Sequence, residues 1–292
     1  MLIQDISYAF PTSWVKTAGG LHLAYTEVGQ GAPLLFLHGL GSNLSAWSKT
    51  LPYLSRHYRC LALDLPGYGK SAKEGFNPVM GFYADVVAEF MDSLALSKCY
   101  LAGHSMGGQV AIHTALRHPA RINKLALLAP AGLETFSTSE ARQLEAWFSV
   151  DKLIKAPVTT VAQNLKLNFY QFPADAQLLL EDRLYYTRCS DYTRFCQTLS
   201  CCVAAMLNEP VYTLLPNLQM PVLVLFGLQD RYIPSPLLHP QLSLQHLVQT
   251  ATAQIPQAQL ELIDHCGHFI QWEQAARVNK LLHRFFLEAN QG

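Results

Sequence analysis

The sequence predicts an α/β fold, a mostly parallel central sheet flanked by helices with an inserted helical block, and three observations predict it. Short uninterrupted apolar runs recur, among them Pro33-Leu34-Leu35-Phe36-Leu37, Leu125-Ala126-Leu127-Leu128-Ala129 and Val222-Leu223-Val224-Leu225-Phe226. Runs of this length without polar alternation suit strands covered on both faces. Helical patterns separate them, as crossovers between parallel strands require. From about residue 131 to 215 the alternation lapses and only helical stretches remain, which reads as a lid set into the fold. The expected division is a core of residues 1–130 and 216–292 with a helical cap at 131–215.

Taken in order, residues 21–27 alternate with period two after Gly19-Gly20 and predict a hairpin ahead of the main sheet. The buried strand at 33–37 runs into His38-Gly39-Leu40-Gly41-Ser42. A helix is expected over 45–56, where Trp47, Leu51 and Leu54 share a side. The strand at 59–63 closes in Asp64-Leu65-Pro66-Gly67-Tyr68-Gly69-Lys70-Ser71, and a helix over 79–94 leads to a strand at 99–102. A helical segment at 109–116 and a strand at 124–129 complete the first half. The insert predicts helices at 140–148, 158–170, 174–186 and 193–207. Alternation resumes with a strand ending at Gly227, a helix at 242–250, a strand at 259–263 and a last helix at 272–287.

Half of the 292 residues are hydrophobic and 14% are charged, which supplies a large buried core and argues against disorder. The 21 basic residues balance 21 acidic ones. That neutrality excludes the electrostatic footprint of a nucleic-acid binder, and no basic run marks an anionic membrane surface. No apolar run approaches the roughly 18 residues of a spanning helix, so no stable membrane insertion is expected. The N-terminus lacks the basic-then-apolar order of a signal peptide. Seven cysteines, odd in number and irregular in spacing, read as buried free thiols in a reducing compartment. Cys201-Cys202 has no second pair or His cluster at ligand spacing, so no metal is expected. The expectation is a cytoplasmic monomer or homodimer.

The strand at 99–102 meets the helical segment at 109–116 through Gly103-His104-Ser105-Met106-Gly107-Gly108. Gly-x-Ser-x-Gly between strand and helix is the nucleophile-elbow pattern. The sharp turn strains the serine and crowds the residues two before and two after it, so a Cβ at Gly103 or Gly107 would collide. Ser105 is the candidate nucleophile. A serine hydroxyl needs a base at neutral pH, and His268 is chosen from eleven histidines. It lies in a loop just past the last predicted strand, at the sheet edge where ligands bind in such folds. Gly267 is taken to permit the turn that aims it, and His265 in the same loop is its rival. Asp230, three residues after Gly227, is the candidate acid to orient the imidazole, with Glu134 as the alternative. Backbone N–H groups of Met106 and Leu40 are expected to hold an oxyanion, each worth about 3 kcal/mol to the transition state. His38 is assigned to bracing this loop and His104 to packing beside the nucleophile.

Together these segments resemble the α/β-hydrolase superfamily over nearly the full length of the chain. His38-Gly39 matches its oxyanion loop, the run from Asp64 to Ser71 matches its Asp-x-x-Gly-x-Gly-x-Ser turn, and Ser105, Asp230 and His268 follow its triad order. Within the superfamily, Ser105-Met106-Gly107-Gly108-Gln109-Val110-Ala111 and Pro130-Ala131-Gly132-Leu133 resemble monoacylglycerol-lipase-like serine hydrolases. They also resemble the hydrolases that cleave carbon–carbon bonds in meta-cleavage products. Those commonly carry Asn where this chain has His104, which puts the carbon–carbon reading behind the ester one. Epoxide hydrolases and haloalkane dehalogenases of this fold carry Asp at the elbow, so Ser105 speaks against both.

The resemblance implies a cofactor-independent serine esterase that forms an acyl-enzyme on a small apolar, medium-chain ester. Its pocket is expected to include His38 and the lid aromatics Trp147, Phe148, Phe169 and Tyr170, some of which pack the lid's own core. Carbon–carbon bond hydrolysis by the same residues is the alternative. A ligand-binding protein that keeps this fold without turnover is a third reading.

Overall fold

The computed structural model describes residues 1–288. Among the described residues eight strands form one sheet: β1 (Ser13–Lys16), β2 (His22–Val28), β3 (Ala32–Leu37), β4 (Tyr58–Leu63), β5 (Cys99–His104), β6 (Ile122–Leu128), β7 (Val222–Gly227) and β8 (Ala258–Ile263). Their order across the sheet is β1-β2-β4-β3-β5-β6-β7-β8. The β1–β2 hairpin joins the edge of β4 antiparallel, and the strands from β3 to β8 pair in parallel.

The apolar runs are continuous because successive side chains of one strand enter different cores. Leu35, Leu37, Leu101, Leu125, Leu127, Val222 and Val224 pack on one face. Leu34, Phe36, Ala102, Ala126, Leu128, Leu223 and Leu225 pack on the other. All six residues of β7 are buried. Each Val, Leu or Phe among them contributes roughly 1.5–3 kcal/mol.

Helices α1 (Leu51–Leu54), α2 (Met80–Ser93) and α3 (Met106–Arg117) precede the break in strand alternation. Between β6 and β7 lie α4 (Thr138–Trp147), α5 (Val150–Lys155), α6 (Val158–Lys166), α7 (Gln177–Tyr186) and α8 (Tyr192–Asn208), with no strand among the described residues. The chain then adds α9 (Leu244–Thr252), α10 (Ile270–Glu273) and α11 (Ala275–Leu287).

Three elements differ from the sequence expectation. The single helix expected over 45–56 is a 3₁₀ turn, Leu44–Trp47, followed by the short α1. Pro52 has no N–H and its ring would strike the carbonyl of residue 48 in a continuous helix, so the helix restarts with Pro52 in its first turn. The helix expected over 158–170 stops at Lys166 because the next residues dock instead: the Tyr170 and Gln171 N–H groups donate to Glu273 at 3.0 and 2.7 Å. The last helix is broken at Gln274, whose backbone is non-helical.

No helix among the described residues is long and apolar enough to cross a membrane. All seven cysteines are free, with Cys201 alone exposed.

Candidate active site

Strand order fixes where the candidate groups meet. β3 lies between β4 and β5, and Leu37 pairs with Gly103, so the loops leaving β3 and β5 emerge side by side. This is the point where strand order reverses, the usual ligand crevice of an open parallel sheet. Ser105 stands at the apex after β5 with φ 53° and ψ −119°, a strained conformation for a residue with a Cβ. Closeness around it explains the glycines: a Cβ on Gly103 would collide with the Gly107 carbonyl, and one on Gly107 would lie 2.5 Å from the Leu37 and His38 carbonyls.

The loop after β8 brings His268 to Asp230. Nδ1 of His268 lies 2.6 Å from Asp230 Oδ2, with both side chains nearly inaccessible to solvent. The second oxygen, Oδ1, accepts the Tyr232 and Ile233 N–H groups at 2.7 and 3.1 Å. A carboxylate held this way keeps the Nδ1 proton on the imidazole and leaves Nε2 able to accept. His268 and Ser105 line one cavity, together with Leu40. The Ser105 hydroxyl makes no hydrogen bond among the described residues; such contacts are often long in unliganded sites and tighten around substrate. The N–H groups of Leu40, in the turn after β3, and of Met106, the first residue of α3, are likewise without backbone partners among the described residues.

The rival groups lie elsewhere. Glu134 receives the Ser235 N–H at 2.9 Å and sits 2.5 Å from His239 Nδ1, away from His268. His265 is exposed at 71% of its side chain and faces Asp264. The reason offered for preferring His268 needs correction. The left-handed turn falls at His265, with φ 52°. Gly267 is required because segment 168–170 passes against it: a Cβ there would lie 2.6–2.7 Å from that backbone.

His38 is fully buried behind the cavity rather than in its wall. Its Nδ1–H donates to the Gly39 carbonyl (2.9 Å) and its Nε2 accepts the Leu65 N–H (3.1 Å), while burial pushes its pKa down to about 4. His104 lines the cavity and donates from Nε2 to the His268 carbonyl at 3.0 Å. Burial and the neighbouring His268 hold its pKa well below the usual histidine range.

The cavity, about 60 Å³, has a polar wall that the sequence reading did not anticipate. Trp147, Phe148, Phe169 and Tyr170 do not line it. Phe169 packs between Phe172 and Phe269, and Tyr170 stands against His265. Asn43, Asn168, Asp182 and Arg183 line it instead. The Arg183 guanidinium occupies the space a side chain on Gly41 would need and lies over the Phe195 ring. The neutral hydroxyls of Tyr68, Tyr186, Tyr192 and Tyr232 stand around it, and it pairs with no carboxylate among the described residues. Burial pushes the Asp182 carboxyl up to about 7. One signal was present in the sequence: Leu179, Asp182, Arg183 and Tyr186 recur at i, i+3, i+4 and i+7, so two charged residues occupy one helix face with Leu and Tyr. Among the described residues no three His, Cys, Asp or Glu side chains converge as metal ligands would.

A family model described as alpha/beta hydrolase fold matches residues 32–275. The chain is 29% identical over 290 residues to a 2-hydroxy-6-oxo-6-phenylhexa-2,4-dienoate hydrolase of Burkholderia cepacia, covering 96% of each chain. Among solved structures it resembles a probable hydrolytic enzyme from Pseudomonas aeruginosa, with a TM-score of 0.86, 25% identity and coverage of 99% of this chain and 98% of that one. It also resembles a meta-cleavage product hydrolase from Pseudomonas fluorescens IP01, with a TM-score of 0.77, 26% identity and coverage of 95% and 98%.

Proposed function

From the premise that the chain belongs to the α/β-hydrolase family and is a hydrolase, we propose that it cleaves a carbonyl substrate bearing a carboxylate, with a 2-hydroxy-6-oxo-dienoate as the first candidate. The observation that carries this reading is Arg183, a cation in the wall of the Ser105 cavity without a carboxylate partner. A guanidinium half-withdrawn from water and left without a partner has a planar carboxylate as its natural complement. The relatives named for dienoate and meta-cleavage-product hydrolysis add weight. His104, which set the carbon–carbon reading back in the sequence, holds the His268 carbonyl at 3.0 Å.

In this mechanism Ser105 Oγ adds to the ketone carbon of the substrate while His268 Nε2 takes its proton. Leu40 and Met106 N–H groups hold the oxyanion, and Asp230 stabilises the imidazolium. Collapse breaks the carbon–carbon bond. The substrate reacts as its 2-oxo tautomer, the hydroxyl proton having moved to C5. The bonding pair therefore passes through the C3–C4 double bond to the 2-oxo oxygen, which takes the proton from His268, and the acyl group stays on Ser105. Water, deprotonated by His268, then releases the acid.

The assay follows loss of the 2-hydroxy-6-oxo-6-phenylhexa-2,4-dienoate chromophore beside hydrolysis of p-nitrophenyl acetate. Expected are dienoate turnover well above ester turnover, loss of both in Ser105→Ala, and a raised KM for the dienoate alone in Arg183→Gln. Unchanged rates in Ser105→Ala would rule out the serine mechanism. Ester turnover without dienoate turnover supports the second reading, ester hydrolysis. That reading draws on Leu40, Leu165, Leu179 and Phe269, the apolar side chains in the wall of the Ser105 cavity.

A further inference from the structure

We propose that Asp182 is a specificity-determining residue that reads a hydroxyl group on the carbon next to the substrate's carboxylate. The inference rests on the carboxylate reading of Arg183 and names the group beside it. Asp182 and Arg183 are adjacent on α7 and both line the cavity that holds Ser105. Neighbours along a helix project about 100° apart, and an i, i+1 pair cannot face one another as an i, i+4 pair does. The two charged groups therefore enter the cavity side by side without joining. A carboxyl next to a guanidinium and separate from it matches a ligand with a hydroxyl one carbon from its carboxylate.

The surroundings leave Asp182 available for that contact. Asn43 is the polar neighbour within hydrogen-bonding reach of it. Asn43 reaches it through Nδ2, which also donates to the Tyr186 hydroxyl at 2.9 Å, while its Oδ1 accepts the Ser45 N–H at 2.8 Å. Glu181 and Arg183 flank Asp182 on its own helix. Asp64, Tyr186 and Tyr8 act on it from behind, and His104 and His268 line the same cavity. Burial, reinforced by the negative charges of Glu181 and Asp64 against the pull of Asn43, raises its carboxyl to about 7. A carboxyl raised in this way can hold a proton near neutrality, and it then donates as well as accepts. A protonated carboxyl also spares the ligand's carboxylate from a second negative charge.

The test measures binding of pentanoate and of each enantiomer of 2-hydroxypentanoate to the Ser105→Ala protein by titration calorimetry, so the readout needs no turnover. At pH 6 one hydroxy acid is expected to bind about tenfold tighter than pentanoate, the contribution of one good hydrogen bond. Asp182→Ala should abolish that preference while leaving pentanoate binding at least as tight. Asp182→Asn, which keeps donor and acceptor without charge, should retain the preference. Affinity for both acids should fall more steeply from pH 6 to pH 8.5 when Asp182 is present than in Asp182→Asn, where His268 is the remaining titrating group of the cavity. Equal binding of hydroxy acid and pentanoate by the parent, or an undiminished preference in Asp182→Ala, overturns the inference. Absence of binding by either acid, or unchanged binding in Arg183→Gln, overturns instead the carboxylate reading beneath it.

Discussion

Replacing Asp230 by Asn is a sharp test of the proposed chemistry because it changes a proton position and little else. Asp230 Oδ1 accepts two backbone N–H groups and Oδ2 meets His268 Nδ1 at 2.6 Å. An Asn placed there keeps its carbonyl oxygen on the Tyr232 and Ile233 N–H groups, which leaves its NH₂ facing His268. Two donors cannot face each other, so the imidazole must turn Nδ1 into an acceptor and carry its proton on Nε2. That is the nitrogen required to accept the Ser105 proton. Loss of the correct tautomer in a serine hydrolase triad costs on the order of 10⁴ in kcat, or about 5.5 kcal/mol of transition-state stabilisation at 1.36 kcal/mol per decade. Stability should change little, since the carbonyl contacts persist and shape is conserved. Steady-state kinetics on the dienoate and on p-nitrophenyl acetate, with urea unfolding as control, read both quantities. A fall in kcat of less than tenfold in a folded Asp230→Asn protein would refute the reasoning.

Three further outcomes follow from packing and titration. Gly107→Ala places a methyl 2.5 Å from two backbone carbonyls of the oxyanion loop, so urea unfolding should show a loss of about 1–3 kcal/mol and activity should fall with it. His38 stays neutral when buried, with a pKa near 4 in the folded protein, so below pH 6.5 the unfolded chain takes a proton that the folded one refuses. Stability should then fall with pH, and the His38→Asn protein should lose about 2 kcal/mol less than wild type between pH 7 and pH 5. His239 behaves oppositely: its hydrogen bond to Glu134 raises its folded pKa, so its contribution is complete below pH 6.5 and is lost as pH rises through the folded value. Burial also raises Glu134, whatever the counter-pull of His239, so both partners hold a proton more tightly when folded. Melting temperatures of wild type and His239→Gln should therefore converge as pH rises from 6 to 8.5.

The sheet was legible because burial on both faces writes uninterrupted apolar runs, and Leu34 to Leu37 divide between two cores residue by residue. The serine turn was legible because its geometry excludes side chains at Gly103 and Gly107, a constraint that leaves a local pattern. His268 and Asp230 were readable as loop residues just past strand ends, places that the order of a parallel sheet brings together. The cavity wall was not readable, since which face of α7 meets Ser105 depends on how helices far apart in sequence pack. The aromatics drew the expectation to Trp147, Phe148, Phe169 and Tyr170, yet large apolar side chains such as Phe169 are spent on packing the insert against the core, here on Phe269 beside His268. Gly267 misled for a related reason: a glycine signals a turn and a close approach equally well, and only the neighbour, here segment 168–170, distinguishes them.

The contacts that hold the two sides of the cavity divide the work between them. On the base side, Glu273 accepts the N–H groups of Gly267, Tyr170 and Gln171, and the Phe269 N–H donates to the Asn168 carbonyl. With His104 holding the His268 carbonyl, the imidazole loop and the end of α6 form one braced unit. On the opposite side α7 is tied to the oxyanion loop through Tyr186 and Asn43, and the turn after it is tied to the N-terminus through Asp191 and the Ile3 N–H. Asp182 and Arg183 belong to this second unit and make none of the contacts that position His268. Substitutions on that face of α7 can therefore change which substrate is held while leaving intact the groups proposed to do the chemistry. A cavity built so allows one reaction to be redirected from a dienoate to an ester by changing the wall alone.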